Sequence, residues 1–198
     1  MASLHRQPLL VVLRADQPLD LSATLERLQD CGVRHVEVAW SPGCPDWARQ
    51  CRQLVAAFPE LCLGAASVCG RAALEAVANA ELRFAVSPVF QPDLLHYAAH
   101  LGLTLVPGVF SPTEVCDAIA LGCTMVKLFP AISVGPAYWR RLAGPLGPLP
   151  FCIAAGGLGP VDLPAWLSAG VDAVAIGGEL AGEEAWSDLR RWTAVQPR

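Results

Sequence analysis

The chain lacks both a long apolar run and a run of basic residues. A membrane-spanning helix needs about 20 consecutive apolar residues, and nucleic-acid binding usually depends on basic patches with interleaved aromatic residues. The first apolar run is too short for a secretory signal, because Arg14 interrupts it. With a net charge of −4, the chain is expected to be cytoplasmic and to bind neither membranes nor nucleic acids.

Metal-binding cysteine patterns are also missing, although the chain contains eight cysteines. No two of them form a C-x-x-C pair, and no histidine lies at a zinc-like spacing from them. Several lie within apolar runs such as "LCLGAASV" and "FCIAAGG". We therefore expect no metal site, and reduced, buried thiols that act as small hydrophobic side chains. The eight residues are Cys31, Cys44, Cys51, Cys62, Cys69, Cys116, Cys123 and Cys152.

Charged residues are few, at 16% of the 198 residues, whereas 54% are hydrophobic. A chain of this length has room for one domain with a sizeable core. Parallel strands that are buried on both faces have this kind of composition. The composition therefore predicts a compact α/β protein.

Short β-rich runs alternate with amphipathic stretches along the whole chain. Such alternation is typical of parallel strands joined by crossover helices. Eight units predict a (β/α)8 TIM barrel that forms a single domain over residues 1–198. An open doubly wound sheet is the alternative, but no G-x-G-x-x-G turn follows the first strand. The strand candidates are "LLVVLRA", "HVEVAW", "CLGAASV", "RFAVSP", "TLVPGV", "MVKLFP", "FCIAAGG" and "AVAIGGE".

Proline and glycine mark the ends of several predicted helices. Ser111-Pro112-Thr113-Glu114 is a capping box with proline at the first helical position, and it predicts a helix start. Four glycines fall where helices are predicted to end, a position that favours the left-handed backbone conformation. They are Gly32, Gly102, Gly122 and Gly170.

Three ionisable side chains are predicted to point into the barrel. Successive side chains of a strand face opposite ways, and those facing outward must meet apolar helices. In "MVKLFP" the flanking valine and leucine take the outward positions, so Lys127 faces inward. The same rule places Glu37 of "HVEVAW" and Arg14 of "LLVVLRA" inward. It also places Ser67 of "LGAASV" on the same face as Ala65.

Lys127 is the strongest candidate for chemistry among these residues. Burial lowers the pKa of a lysine toward neutrality, and a neutral amine is the nucleophile that forms a Schiff base with a carbonyl substrate. Catalytic groups of such barrels lie near the C-terminal ends of the strands, where Lys127 and Arg14 both fall. A structural ion network is the alternative, and it competes most directly for Glu37 together with Arg14.

Two glycine pairs end the last two predicted strands. Gly156 and Gly157 follow the seventh strand, and Gly177 and Gly178 follow the eighth. The loops at these places are the usual phosphate site of the barrel, because bare backbone N–H groups can approach an anion. The alternative is that the glycines are only tight-turn residues.

Motifs along nearly the whole chain resemble one known family. The stretches "VLRAD", "GVRHVEVAW", "LVPGVFSPTEVCDAIALGCTMVKLFPA" and "AVAIGGEL" occur in the order found in the 2-keto-3-deoxy-6-phosphogluconate (KDPG) and 2-keto-4-hydroxyglutarate (KHG) aldolases. The most specific parts are "VPGVFSPTE" and "VKLFPA". The resemblance implies a class I, metal-free aldolase on a (β/α)8 barrel, with no cofactor and commonly a homotrimer.

The resemblance also implies roles for individual residues. Lys127 matches the Schiff-base lysine, and Glu37 matches the general acid and base. Ser67 stands where the family usually has a threonine near the pyruvate carboxylate, and Pro88 matches a pocket proline. The phosphate-binding turns are matched by Gly156, Gly157, Gly177 and Gly178.

Three positions depart from the family pattern. Ser41 replaces an arginine that grips the substrate carboxylate, which removes charge-assisted hydrogen bonds. Ala155 replaces a threonine of the first glycine turn. Glu179 follows the second turn, where its charge would repel a phosphate. The substrate grip is therefore expected to differ, while the lysine and glutamate are retained.

The leading functional hypothesis is a class I aldolase. It cleaves a 2-keto-4-hydroxy acid of the KDPG or KHG type into pyruvate and an aldehyde through a Schiff base on Lys127, and Glu37 moves the protons. Arg14 is the candidate to replace the missing arginine. One alternative is a keto-acid or sugar-acid binding protein, and another is a barrel isomerase that uses Glu37 as its base.

Overall fold

The structure is a computed structural model that describes residues 2–178 and 180–196. It contains nine short strands, eight α-helices and four short 3-10 helices within that part of the chain. The strands are β1 (Leu9–Leu13), β2 (His35–Ala39), β3 (Cys62–Ala66), β4 (Ala85–Val86), β5 (Leu105–Val106), β6 (Gly108–Val109), β7 (Met125–Leu128), β8 (Phe151–Ala155) and β9 (Ala173–Ile176). The helices are α1 (Ser22–Asp30), α2 (Trp47–Ala57), α3 (Arg71–Asn79), α4 (Pro92–His100), α5 (Pro112–Ala120), α6 (Tyr138–Leu146), α7 (Leu163–Ser168) and α8 (Gly182–Thr193).

All nine strands pair in parallel in one sheet, in the order β5-β4-β3-β2-β1-β9-β8-β7-β6. The two strands at the ends of this order are consecutive in sequence and are separated only by Pro107. Proline cannot donate a ladder hydrogen bond, and this position divides the predicted strand "TLVPGV" into two. The carbonyl of Pro107 still accepts from Lys127 N at 2.8 Å. The sheet is therefore a nearly closed barrel, which confirms the predicted fold.

Side-chain alternation divides the core into two layers. The inner layer fills the barrel and includes Leu10, Phe84 and Ile153, all fully buried. The outer layer lies between the strands and the helices and includes Val11 and Val126. The inward and outward positions predicted for the first and sixth strand candidates are therefore confirmed.

A short 3-10 helix, Ala2–His5, closes the N-terminal end of the barrel. Its Leu4 is fully buried and belongs to the inner layer. Ser3 Oγ lies 2.7 Å from Nε2 of His35, a buried residue of β2. This N-terminal segment forms a floor below the inner layer.

The predicted helix signals are present in the structure. Ser111 and Glu114 form the capping box of α5. The four glycines predicted at helix ends all have positive φ angles, between 70° and 103°. None of the described helices is both long and apolar enough to cross a membrane.

The cysteines are only partly as expected. Cys31, Cys44, Cys51 and Cys152 are buried free thiols, and Cys62 and Cys123 are half-buried. Cys69 and Cys116 are exposed, so the prediction of burial is wrong for these two. Cys69 lies in the loop after β3, and apolar sequence neighbours do not fix the burial of a loop residue.

Candidate active site

Lys127 projects into the barrel from β7, next to Gly108 of β6 and Ile153 of β8. Only 6% of the residue is exposed. Its Nζ lies 5.1 Å from the centre of the Phe129 ring. Burial lowers the pKa of Lys127, and Arg14 acts in the same direction, whereas the nearby Glu37 carboxylate opposes the shift. The amine is therefore easier to deprotonate than an exposed lysine.

Glu37 projects from the middle of β2 and is completely buried. Neither carboxylate oxygen has a hydrogen-bond partner among the described residues. Burial raises the pKa of Glu37 to about 7, although the positive charges of Lys127 and Arg14 act to lower it. A carboxyl group with this pKa can both accept and donate a proton near neutral pH.

The charged groups influence one another without forming ion pairs. Within residues 2–178 and 180–196, every ion pair with an N–O distance of up to 4.0 Å joins other side chains. Lys127, Glu37 and Arg14 take part in none of them. A structural ion network among these three residues thus has no direct contact to support it.

Arg14 lies just beyond β1, and its Nη1 donates a hydrogen bond to Ser67 Oγ at 3.1 Å. Ser67 follows the last residue of β3, Ala66, and has a φ of 61°. This left-handed conformation ends the alternation of the strand. Ala65 packs in the outer layer, so the predicted common face of Ser67 and Ala65 is wrong. The structure instead brings Ser67 to Arg14.

A cavity of about 280 Å³ connects the lysine with the glycine pairs. Its lining includes Lys127, Phe129, Arg14 and Val12, together with the four glycines of the two turns: Gly156, Gly157, Gly177 and Gly178. The amine of Lys127 and the guanidinium of Arg14 thus lie in the same small cavity as the backbone of the glycine turns. Neither Glu37 nor Ser67 is among the residues that line this cavity.

The first glycine turn has a clear conformational requirement. Gly156 and Gly157 have φ angles of 98° and 76°. A Cβ on Gly156 would lie 2.9 Å from the Phe129 ring, and one on Gly157 would lie 2.7 Å from a methyl group of Ile132. Tight-turn geometry alone therefore explains the glycines of the first turn. Gly178, in the second turn, differs because no atom lies within 4 Å of a Cβ built on it.

Pro88 lies just beyond β4 and is half-buried. Its backbone packs against Gly108, where a Cβ would lie 2.3 Å from the Pro88 carbonyl carbon. Gly108 is the direct neighbour of Lys127 across the sheet. Pro88 thus contacts the strand beside the lysine, although it does not line the lysine cavity.

The three departures from the family pattern lie in different surroundings. Ser41 is half-buried in the turn after β2, where its carbonyl accepts from Cys44 N at 3.1 Å. Ala155 is the last residue of β8 and lines the lysine cavity. The expectation about Glu179 lies outside the described residues.

Two neighbours of the lysine were not predicted from the sequence. Phe129 follows β7 and supplies a ring near Nζ. Cys69 is exposed in the loop after β3, and its electrostatic effect acts to raise the pKa of Lys127. Both lie just beyond the C-terminal end of a strand, which is a position that could have identified them.

No group of three His, Cys, Asp or Glu side chains placed to hold a metal occurs in the described part of the chain.

Comparison with known proteins gives a family match over almost the full length. A family model described as "Aldolase: KDPG and KHG aldolase" matches residues 1–196. A probable 2-dehydro-3-deoxy-6-phosphogalactonate aldolase of Rhizobium meliloti (strain 1021) is 31% identical, over 88% of this chain and 82% of the relative. The 2-dehydro-3-deoxy-phosphogluconate aldolase of Pseudomonas aeruginosa is 28% identical, over 95% of this chain and 84% of the relative.

A solved structure has the same fold. It is the KDPG aldolase from Legionella pneumophila, with pyruvate captured at low pH as a covalent carbinolamine intermediate. Its TM-score with this chain is 0.82 at 26% sequence identity, and the match covers 99% of this chain and 97% of that one.

Proposed function

The chain belongs to the KDPG and KHG aldolase family, whose named members are carbon–carbon lyases, and from this premise we propose its reaction and the residues that perform it. It cleaves a 2-keto-4-hydroxy acid into pyruvate and an aldehyde through a Schiff base on Lys127. The observation that carries the proposal is the pairing of a buried lysine with a buried, unpartnered glutamate, each with its pKa shifted toward neutrality by burial.

The first step is the formation of the Schiff base. The neutral amine of Lys127 attacks the keto carbon of the substrate to give a carbinolamine, and loss of water gives an iminium. Burial supports this step because it increases the neutral fraction of the amine at a given pH. The pyruvate carbinolamine in the Legionella pneumophila aldolase, a protein that is 26% identical to this chain, is chemically analogous.

The second step is cleavage of the carbon–carbon bond. The carboxylate of Glu37 accepts the proton of the 4-hydroxyl group, and the C3–C4 electrons move into the iminium to form an enamine. The aldehyde leaves, the enamine carbon takes a proton back from Glu37, and water hydrolyses the resulting iminium to pyruvate and free amine. A pKa of about 7 suits a group that serves as base and then as acid.

Three further residues are proposed to hold the keto-acid end. Arg14 takes the place of the missing arginine and binds the carboxylate, and Ser67 is fixed beside it by the 3.1 Å hydrogen bond. Pro88 shapes the adjacent wall through its contact with Gly108.

The four glycines Gly156, Gly157, Gly177 and Gly178 offer backbone N–H groups to an anion at the other end of the substrate.

The proposal is tested by borohydride reduction in the presence of pyruvate, followed by intact mass measurement and peptide mapping. The chain has a single lysine, so an adduct on a lysine side chain has only one possible site. We expect a reduced pyruvate adduct on the peptide that carries Lys127 and none on Lys127→Met. A folded wild-type protein without an adduct would reject the aldolase mechanism and favour the binding-protein or isomerase alternative.

The assembly and its location are proposed on the same basis. The family resemblance supports a homotrimer in the cytoplasm. Apolar side chains such as Ile132 and Val161, which are 56% and 71% exposed, are candidates for burial between subunits. Sedimentation equilibrium should give three times the mass of the chain, and a monomer at micromolar concentration would contradict this.

A further inference from the structure

Glu37 belongs to a row of four inward-facing positions that crosses the sheet. In this row Val12 of β1 pairs with Glu37 of β2, and Glu37 pairs with Gly64 of β3. The pairing of β3 with β4 one residue further along places Phe84 beside Gly64 and completes the row. Neighbouring strands lie about 4.8 Å apart, so each member of the row is close to the next.

The ring of Phe84 occupies the space that a side chain on Gly64 would fill. Its three outer carbon atoms, Cε1, Cζ and Cε2, lie 2.5–2.6 Å from the position of a Cβ built on Gly64. Phe84 is fully buried and belongs to the inner layer. Because Gly64 is one strand away from Glu37, the end of the ring reaches to within about 5 Å of the start of the glutamate side chain.

The two sides of Glu37 in this row differ. Val12 lines the lysine cavity, so the side of Glu37 toward Val12 leads to the proposed substrate. Phe84 does not line that cavity, and its buried ring closes the other side. The carboxylate oxygens have no hydrogen-bond partner in the part of the chain that the structure describes.

The charged groups around Glu37 do not explain why it holds its proton so strongly. Lys127 of β7 and Arg14 beyond β1 both act to lower the pKa of Glu37, yet burial outweighs them and raises it to about 7. His35, two residues earlier on β2, is itself neutral near pH 7, because burial lowers its pKa to about 4. The apolar walls are therefore decisive, and the Phe84 ring is the largest side chain of the row.

We propose that Phe84 is a positioning residue for proton transfer, because its ring, seated on the bare Gly64, excludes water from the Glu37 carboxyl and leaves the substrate as its proton-transfer partner. The absence of a side chain on Gly64 is what admits the ring. The inference rests on the proposed aldolase function. It adds to that function a residue that acts on the substrate through Glu37.

The first test follows the titration of Glu37 directly, by carbon NMR of protein labelled at its glutamate carboxyl groups. The spectrum of Glu37→Gln identifies the resonance. Phe84→Ala opens a space beside a polar group that water can enter, and the titration should move to lower pH by about one unit. Phe84→Leu should move it less, in the same direction. If Phe84→Ala does not fold, Phe84→Leu alone decides, and an unchanged titration would overturn the proposal.

The acidic limb of kcat/KM should move together with the NMR titration in each Phe84 variant. Phe58→Leu is the matched control, because Phe58 is also buried, at 7% exposed, but lies in the outer layer. This control loses the same atoms and should lower stability without moving the titration of Glu37. A shift as large as that of Phe84→Leu would assign the effect to general loosening of the fold and reject the proposal.

The second test concerns the glycine. Gly64→Ala places a Cβ where the ring now lies, so it should displace Phe84 and move the Glu37 titration to lower pH as well. It should lower the folding equilibrium constant about tenfold or more in the wild type. The loss should be smaller in the Phe84→Ala background, because residues in contact are not additive. Equal losses in the two backgrounds, measured by urea denaturation, would contradict the seating of the ring on Gly64.

Failure of this inference can be told apart from failure of the proposed function. Borohydride trapping of pyruvate depends on Lys127 and should persist in Phe84→Leu, whereas the NMR titration requires no turnover. Absence of trapping in the wild type would reject the aldolase mechanism. Intact trapping with an unshifted Glu37 titration in the Phe84 variants would reject only the role of Phe84.

Discussion

At the scale of single residues, burial has opposite effects on the two groups at the centre of the proposed mechanism. Burial disfavours the charged form of any ionisable group, so it lowers the pKa of Lys127 and raises that of Glu37. Both shifts are toward neutral pH. The same apolar barrel interior therefore prepares a nucleophile and a proton carrier without a direct ion pair between them.

The pKa of Glu37 predicts the pH dependence of activity. The carboxylate is the form that accepts the hydroxyl proton, so kcat/KM for cleavage should rise with pH as Glu37 ionises, with an acidic limb near its pKa of about 7. Lys127 must lose its proton as well, so the limb belongs to the coupled pair. The measurement is kcat/KM between about pH 5 and about pH 9.

The same profile measured on Glu37→Gln serves as the control. This variant should lose at least about 100-fold in kcat/KM, which is the usual contribution of a general base, and the part of the limb that comes from Glu37 should disappear. An unchanged limb would assign the titration to another group. Glu60→Gln, at an exposed position, should behave as the wild type does.

Gly156 and Gly178 form a matched pair for a test of stability. Gly156→Ala places a Cβ at a φ of 98°, 2.9 Å from the Phe129 ring, and should lower the free energy of unfolding by about 2 kcal/mol. Gly178→Ala meets no atom within 4 Å and should change it by less than about 0.5 kcal/mol. Urea denaturation measures both, and similar losses in the two variants would contradict the argument.

Some of these residues could be found from the sequence and others could not. Strand alternation was sufficient for Lys127 and Glu37, because a charged side chain within an apolar strand has only two possible faces. It was not sufficient for Ser67, whose left-handed φ depends on its tertiary contacts. Cys69 lies on a loop, where no local pattern indicates what its side chain faces.

At the scale of elements, the capping box of α5 makes more bonds than its motif requires. Oε2 of Glu114 accepts from the backbone N–H groups of Phe110 at 2.9 Å and Ser111 at 2.7 Å, and also from Ser111 Oγ at 2.9 Å. These bonds join the end of β6 to the start of the helix. They also lower the pKa of Glu114, against the opposing effect of its partial burial.

Loss of this cap has a predictable cost. Ser111→Ala removes the side-chain acceptor of Glu114 N and should lower the free energy of unfolding by about 1 kcal/mol. Ser168→Ala, an exposed position at the end of α7, should change it by less than about 0.5 kcal/mol. Urea denaturation midpoints compare the two variants, and an equal effect would show that the cap does not stabilise α5.

The order of elements and the barrel were predictable, but the division of one strand into β5 and β6 was not. The eight strand candidates and the helices between them all occur, because apolar periodicity and capping signals are local. The division of one strand at Pro107 depends on which neighbours its two halves meet, β4 on one side and β7 on the other. That is a property of the closed sheet.

At the scale of the whole molecule, β2 joins the two ends of the barrel. His35 lies at the floor against Ser3, and Glu37 lies two residues further along the same strand in the interior. Burial lowers the pKa of His35 to about 4 and raises that of Glu37 to about 7. One strand therefore carries two buried groups whose titrations affect stability with opposite signs.

The assignment of residues 1–198 to a single domain stays a prediction.

The effects of these two titrations on the free energy of unfolding should nearly cancel in the wild-type protein. His35 has a usual pKa of 6.5 and a folded one of about 4, so its contribution to stability is complete above pH 6.5 and is lost as the pH falls. Glu37 has a usual pKa of 4.5 and a folded one of about 7, so its contribution is complete below pH 4.5 and is lost as the pH rises. Where the pH ranges of the two titrations overlap, each changes the free energy of unfolding by up to about 1.4 kcal/mol per pH unit.

The free energy of unfolding of the wild type should therefore change little between about pH 5 and about pH 6. Glu37→Gln leaves only the histidine titration, so its stability should rise with pH by about 1 kcal/mol over that unit, and His35→Gln should show the opposite slope. Urea denaturation at several pH values measures all three. Parallel pH dependences would mean that the two residues are not both held in their uncharged forms by the fold, and this would remove the electrostatic basis for Glu37 as the proton carrier.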